Sequence, residues 1–135
     1  MPLGTLNHLA ITVSDRTRSE PFYDAILTWM GYEQVERTED FTLWWLAGAG
    51  AIEIVQGDRE CQNPQHDRYS PGLHHVALNA DSREQVDTFH QKLMELGATI
   101  LDAPAEYSYS PGYYAVFFAD PDGIKLELVH MPVVA

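Results

Sequence analysis

The chain repeats itself once, and this repeat limits its possible folds more than any other property of the sequence. Asn7-His8-Leu9-Ala10 opens one half and His74-His75-Val76-Ala77 opens the other. Each half closes on a mostly apolar run with a central glutamate, Ala51-Ile52-Glu53-Ile54-Val55 and Lys125-Leu126-Glu127-Leu128-Val129. The registers between these ends agree. His8 and His75 are 67 positions apart, Phe22 and Phe89 are 67 apart, and Gly31 and Gly97 are 66 apart. Glu53 and Glu127 are 74 apart, so about seven extra residues enter the second half. Segment 106–112, with its Tyr-Ser-Tyr-Ser-Pro-Gly core, is where they are expected. Two copies of one motif predict two copies of one supersecondary unit.

Periodicity supplies that unit. Residues 6–13 alternate, with His8, Ala10 and Thr12 on one face and Leu9, Ile11 and Val13 on the other. A helix follows, predicted to start within 17–20 so that Pro21 falls in its first turn, where a missing N–H costs no bond. Phe22, Tyr23, Ile26, Leu27 and Met30 form its apolar stripe, and Gly31 ends it. Three strands are predicted over 32–37, 41–47 and 51–56. The polar segment 57–72 reads as a linker. The order then recurs: a strand over 73–80, a helix opened by a capping box at Ser82-Arg83-Glu84-Gln85, and strands over 99–103, 113–119 and 125–130. The second helix is expected to bury Val86, Phe89, Leu93 and Leu96. The expectation is an α+β fold of two βαβββ modules, 6–56 and 73–130, within a single domain spanning 1–135.

Strand parity sets the chemistry. Ile52 and Ile54 flank Glu53, and Leu126 and Leu128 flank Glu127. If these apolar pairs face the helices, both glutamates face the opposite side of the sheet, with His8 and His75. A buried unpaired carboxylate costs about several kcal/mol. A cation removes that cost and accounts for both glutamates, so His8, Glu53, His75 and Glu127 are the candidate metal ligands. His74 competes with His75, and the shared His-x-Ala spacing and strand parity favour His75. His66, His90 and His130 read as structural or solvated. Trp44 and Trp45 on one strand, with Tyr113 and Phe117 on its counterpart, either line an apolar cup or serve ordinary packing. The loop from Tyr107 to Tyr114, hinged by Pro111-Gly112, is a lid or a plain surface excursion.

Composition narrows the classes of partner. A formal net charge of −12 repels phosphate backbones and anionic lipid, which argues against nucleic-acid and membrane-surface partners. The single cysteine, Cys61, has no internal disulfide partner. Neither a signal peptide nor a membrane-spanning run is recognisable, so a cytoplasmic location is expected.

From Leu6 to Val129 the chain resembles the vicinal oxygen chelate superfamily, which includes glyoxalase I, extradiol dioxygenases and bleomycin or fosfomycin resistance proteins. The most specific stretch is Phe118-Ala119-Asp120-Pro121-Asp122-Gly123-Ile124-Lys125-Leu126-Glu127, with Gly72-Leu73-His74-His75-Val76-Ala77 supporting it. The resemblance implies a curved, half-open mixed β-sheet cup with helices packed outside, in a homodimer. At the family's metal positions His8, Glu53, His75 and Glu127 all match. It implies one divalent ion (Ni, Co, Mn, Fe or Zn), a small substrate with two neighbouring oxygens, and an enediolate formed as a base removes the adjacent proton. Glu127 is the first choice of base and Glu53 the second. Trp45, Tyr113 and Phe117 are the candidate substrate contacts.

Departures from the pattern matter too. Thr12 and Gly57 stand where bacterial glyoxalase I carries an Arg and an Asn used on glutathione, which argues against a glutathione-linked substrate. Phe117 stands where extradiol enzymes carry a Tyr. The expected activity is that of a metal-dependent glyoxalase-like lyase or isomerase. The alternatives are an Fe(II) extradiol-type dioxygenase and a ligand-sequestering protein of the bleomycin-resistance type.

Overall fold

The computed structural model describes residues 3–58 and 66–132; Cys61 lies outside the described residues. The chain divides into two compact units, Met1–Pro64 and Gln65–Ala135. The first contains β1 (His8–Val13), α1 (Arg16–Trp29), β2 (Glu33–Arg37), β3 (Phe41–Leu46) and β4 (Gly50–Gln56). The second contains β5 (Val76–Asn79), α2 (Arg83–Glu95), β6 (Thr99–Glu106), β7 (Tyr114–Ala119) and β8 (Lys125–His130). Each unit is a four-stranded open mixed sheet with one helix, in the order β1-β4-β3-β2 or β5-β8-β7-β6. The two βαβββ copies expected from the repeat are therefore present. No helix among the described residues is long and apolar enough to cross a membrane.

The copies agree down to residue pairs. In the first unit Ala10 lies opposite Glu53 across the parallel β1–β4 ladder, and Leu43 lies opposite Glu53 across β3–β4. In the second, Ala77 and Phe117 lie opposite Glu127 in the same way. Both helices end alike. Gly31 and Gly97 adopt positive φ, which an L side chain resists. The following N–H groups, from Tyr32 and Ala98, reach back to the carbonyls of Leu27 and Leu93. Both helices also begin alike, on caps 67 positions apart: Asp15 accepts from the Thr17 N–H, and Ser82 from the Gln85 N–H.

The side of each sheet that faces its helix is the apolar core. In the first unit Ile11, Val13, Ile52 and Ile54 are buried with Tyr23, Ile26 and Leu27 of α1. In the second Val116, Phe118, Leu126 and Leu128 are buried with Val86, Phe89 and Leu93 of α2. Each such fully buried side chain is worth roughly 1.5–3 kcal/mol before ordering costs. The ties differ between copies. Glu20 and Asp24, one turn apart on α1, accept hydrogen bonds from the Thr42 hydroxyl at 2.6 Å and the Trp44 indole at 2.9 Å. In the second unit β7 has Val116 and Phe118 at the matching positions, and Phe118 packs edge-on against Phe89.

Several expectations need correction. Helix α1 starts at Arg16 because Asp15 caps it, so Pro21 lies inside the helix, where it leaves the Thr17 carbonyl without its N–H partner. Trp44 does not line a cup: its parity turns it towards α1, where it is fully buried. Strand β6 runs on to Glu106 through Pro104, which an edge strand tolerates where its register shifts, here between Asp102 and Ala105. The Gln85 side chain accepts from the Asp81 N–H rather than that of the cap residue itself. The extra length of the second unit does lie in the β6–β7 hairpin. Glu36 and Asp102 are 66 positions apart, whereas Leu43 and Phe117, their ladder partners, are 74 apart.

Candidate functional site

Glu127 owes its position to the turn before it. The Asp120 carboxylate accepts from the backbone N–H groups of Asp122 and Ile124, both at 2.8 Å, and the Asp120 N–H donates to the Ile124 carbonyl. This closed Asp-Pro-Asp-Gly turn sets Ala119 opposite Lys125, and hence Phe117 opposite Glu127. The counterpart in the first unit is the Leu46–Gly50 turn, which sets Leu43 opposite Glu53. Gly50 adopts φ +106°, and a Cβ there would stand 2.6 Å from the Asn7 carbonyl oxygen. The residue just before His8 therefore lies directly against this turn.

In the second unit the Glu127 carboxylate is 1% exposed. Its Oε1 lies 3.1 Å from Nε2 of His75, and its Oε2 accepts a short hydrogen bond from the Tyr113 hydroxyl. Burial, and then the Glu127 carboxylate, push the Tyr113 phenol well above its ordinary value of 10.0, so it stays protonated as a donor. The β6–β7 hairpin, longer than its β2–β3 counterpart, covers this face. Tyr107 and Tyr113 pack on the cluster of Ala115, Phe117 and Val129, and Tyr109 stacks flat on Tyr107. Phe117 is 5% exposed, with Tyr107 edge-on and the Lys125 ammonium 4.5 Å from its ring centroid.

Beyond Glu127, Nδ1 of His75 lies 2.7 Å from Nδ1 of His74. Partial desolvation, and then the neighbouring His75, Lys125 and Arg68, hold His74 below its ordinary value of 6.5, which favours a neutral ring. The edge of Tyr69 packs on His74, and His66 Nε2 donates to the Leu73 carbonyl at 2.9 Å, tying down the backbone that leads into the pair.

The first unit is more open. His8 is exposed, with Nδ1 at 2.8 Å from Asn7 Oδ1. Glu53 is half-buried and its carboxylate makes no hydrogen bond among the described residues. Trp45 shares the Glu53 face and is 44% exposed. It borders a cavity of about 500 Å³ together with Thr5, Leu6, Asn7 and Gly48.

Each unit thus presents a glutamate from the same ladder position, with a histidine at the start of β1 in the first unit and one residue before β5 in the second. Among the described residues, no group of three or more His, Cys, Asp or Glu is arranged to hold a metal ion. The donor chemistry nevertheless fits a divalent cation. Among the described residues the buried Glu127 carboxylate has only a histidine and a phenol as hydrogen-bond partners, with no Arg or Lys. Mixed imidazole and carboxylate donors suit borderline ions. Reading the sequence alone missed the hydrogen bond from Tyr113 to Glu127 and the side chains of Asn7 and His74 on the histidine rings. A signal for the last pair was present, since Asn7 and His74 immediately precede the two repeated histidines.

Comparison with known proteins agrees with this architecture. The family model for the Glyoxalase/Bleomycin resistance protein/Dioxygenase superfamily matches residues 5–128. The chain is 33% identical over 125 residues to the uncharacterized protein YqjT of Bacillus subtilis, covering 92% of this chain and 97% of that protein. It is 29% identical over 125 residues to the metallothiol transferase FosB of Bacillus licheniformis, covering 91% and 73% respectively. A solved structure of a candidate glyoxalase from Bacillus halodurans superposes with a TM-score of 0.85 at 35% identity, covering 96% of this chain and 97% of that one.

Proposed function

We propose, for a chain that belongs to the Glyoxalase/Bleomycin resistance protein/Dioxygenase superfamily, the activity of a divalent-metal-dependent lyase or isomerase. Its substrate is a small molecule with two adjacent oxygens. Proteins of this superfamily act on small molecules, typically bind a divalent metal and often form dimers. The observation that carries the reading is the buried Glu127 carboxylate beside His75, repeated in register by Glu53 and His8.

His8, Glu53, His75 and Glu127 are the proposed ligands of one ion (Ni, Co, Mn, Fe or Zn). When bound, the ion supplies Lewis-acid polarisation of the substrate oxygens. The two glutamates then divide the remaining work. The Tyr113 hydroxyl holds Oε2 of Glu127 and its carboxylate is buried, so Glu127 anchors. No hydrogen bond among the described residues holds Glu53, so it can reorient towards a substrate carbon and take its proton. This environment reverses the order of preference read from the sequence. Trp45, with the cavity beside it, supplies an apolar wall for the substrate; Tyr113 and Phe117 are the proposed contacts in the second unit. The rings of Tyr107 and Phe117 shield the Glu127 side from water.

A second reading, transfer of a thiol to the substrate, is favoured by the similarity to a metallothiol transferase. The first test is metal content after incubation with Ni, Co, Mn, Fe or Zn and removal of excess. About one equivalent per chain is expected, and less than about one tenth overturns the enzyme reading. His8→Ala and Glu127→Gln should each weaken binding by about tenfold. With the preferred metal, a panel of hemithioacetals, 2-oxo thioesters and catechols follows. Oxygen uptake with catechols identifies a dioxygenase, and thiol consumption identifies the transferase.

A further inference from the structure

Both repeated histidines have the side chain of the preceding residue on Nδ1. Asn7 Oδ1 lies 2.8 Å from His8 Nδ1, and His74 Nδ1 lies 2.7 Å from His75 Nδ1. The two partners occupy the same place in the duplicated unit but differ in what they can do. An amide oxygen only accepts, so His8 carries a proton on Nδ1. An imidazole nitrogen either donates or accepts, and two of them share so short a contact only when one carries a proton and the other does not.

We propose that His74 is the positioning residue of His75, doing for it what Asn7 does for His8, and that the two rings change tautomer together when a cation engages His75 Nε2. The proposal rests on the reading of His75 as a metal ligand. Without a cation, His75 Nε2 faces Glu127 Oε1 at 3.1 Å and donates to it. With its proton on Nε2, His75 accepts at Nδ1 from the Nδ1–H of His74. A cation on Nε2 needs that lone pair, so the His75 proton moves to Nδ1. His74 must then accept, and its own proton moves to its Nε2. One proton leaves His75 Nε2 and one arrives at His74 Nε2 by way of solvent, so the pair neither gains nor loses charge.

The surroundings suit this exchange. The His74 ring is exposed, so water can carry the proton. The His66 bond to the Leu73 carbonyl and the Tyr69 edge keep the ring in place while its protonation pattern changes. The first unit has a fixed acceptor at Asn7 and presents the same His8 nitrogen in either state.

Nitrogen-15 NMR of the histidine rings, with and without zinc, reads the tautomers directly. In the metal-free chain His75 should carry its proton on Nε2 and His74 on Nδ1; on zinc loading both should reverse. Zinc affinity should fall by about ten- to a hundredfold in His74→Ala. His74→Asn, which copies the Asn7–His8 pair, should restore it to within roughly threefold, because its amide oxygen supplies the acceptor. Equal weakening in both variants, unchanged affinity in His74→Ala, or a His74 tautomer indifferent to zinc overturns the proposal. A wild-type chain that takes up no zinc overturns the metal reading of His75, and the proposal with it. Zinc binding that ignores His74 overturns the proposal alone.

Discussion

Replacing Tyr113 by phenylalanine removes one oxygen and leaves every carbon of the ring in place, so its packing on the Phe117 cluster survives. What is lost is the hydroxyl donor to Glu127 Oε2, on a carboxylate that is 1% exposed. Water has little room to replace it, and His75 already serves the other oxygen. A hydrogen bond to a charged group is worth about 1.5–3 kcal/mol, and a buried charged acceptor left unpaired lies at the upper end of that range. The expected loss is therefore about 2–3 kcal/mol, or roughly 5–12 °C in Tm for a chain of this size. Urea denaturation of metal-free protein measures it. Tyr107→Phe is the control, since it trims the neighbouring ring without touching the carboxylate and should cost less than about 0.5 kcal/mol. A double-mutant cycle with Glu127→Gln should return a coupling of about 1 kcal/mol or more. If Tyr113→Phe matches wild type within about 0.5 kcal/mol, or the coupling vanishes, Tyr113 does not hold Glu127 and the division of labour between the glutamates falls.

Two further outcomes follow from the first unit. The Arg37 guanidinium at 2.8 Å, helped by the Thr42 hydroxyl and opposed by burial, holds Glu20 below its ordinary 4.5. Its contribution to stability is present above pH 4.5 and disappears as pH falls through the lower folded-state value. The stability gap between wild type and Glu20→Gln should accordingly be widest near neutrality and close in acid; a gap constant with pH would refute the assignment. Gly50→Ala combines a positive φ with a Cβ 2.6 Å from the Asn7 carbonyl oxygen. It should cost at least about 1–3 kcal/mol by chemical denaturation and shift the His8 ring resonances, because Asn7 must move. A stable variant with unshifted resonances would show that the turn does not support His8.

The duplicated architecture was legible because two copies of a period-two pattern check each other. Strand parity alone turned His8 and Glu53 away from Ile52 and Ile54, and it did the same for Glu127 between Leu126 and Leu128. The β3 run was not legible in this way. Phe41-Thr42-Leu43-Trp44-Trp45-Leu46 is apolar on both faces, and only the ladder to Glu53 reveals that Trp45 shares its side while Trp44 faces α1. Pro21 misled for a local reason: a proline suggests a helix start, yet Asp15 supplied the stronger signal six residues earlier. The contact between Tyr113 and Glu127 starts from the hairpin of extra length and follows no periodicity, so only coordinates reveal it. The roles of Asn7 and His74 were hidden because hydrogen bonds between adjacent side chains depend on rotamers, which sequence spacing does not encode.

The extra residues of the β6–β7 hairpin have a meaning for how such a chain can be rebuilt. A one-residue insertion inside β1, β4, β5 or β8 would swing a histidine or glutamate to the helix side of its sheet. The hairpin carries no such penalty, because its residues lie beyond the strands that present those four side chains. Apart from Tyr113, it behaves as a replaceable cassette: its length and its other tyrosines can be exchanged, reshaping what lies over Glu127 while the strands beneath keep their register.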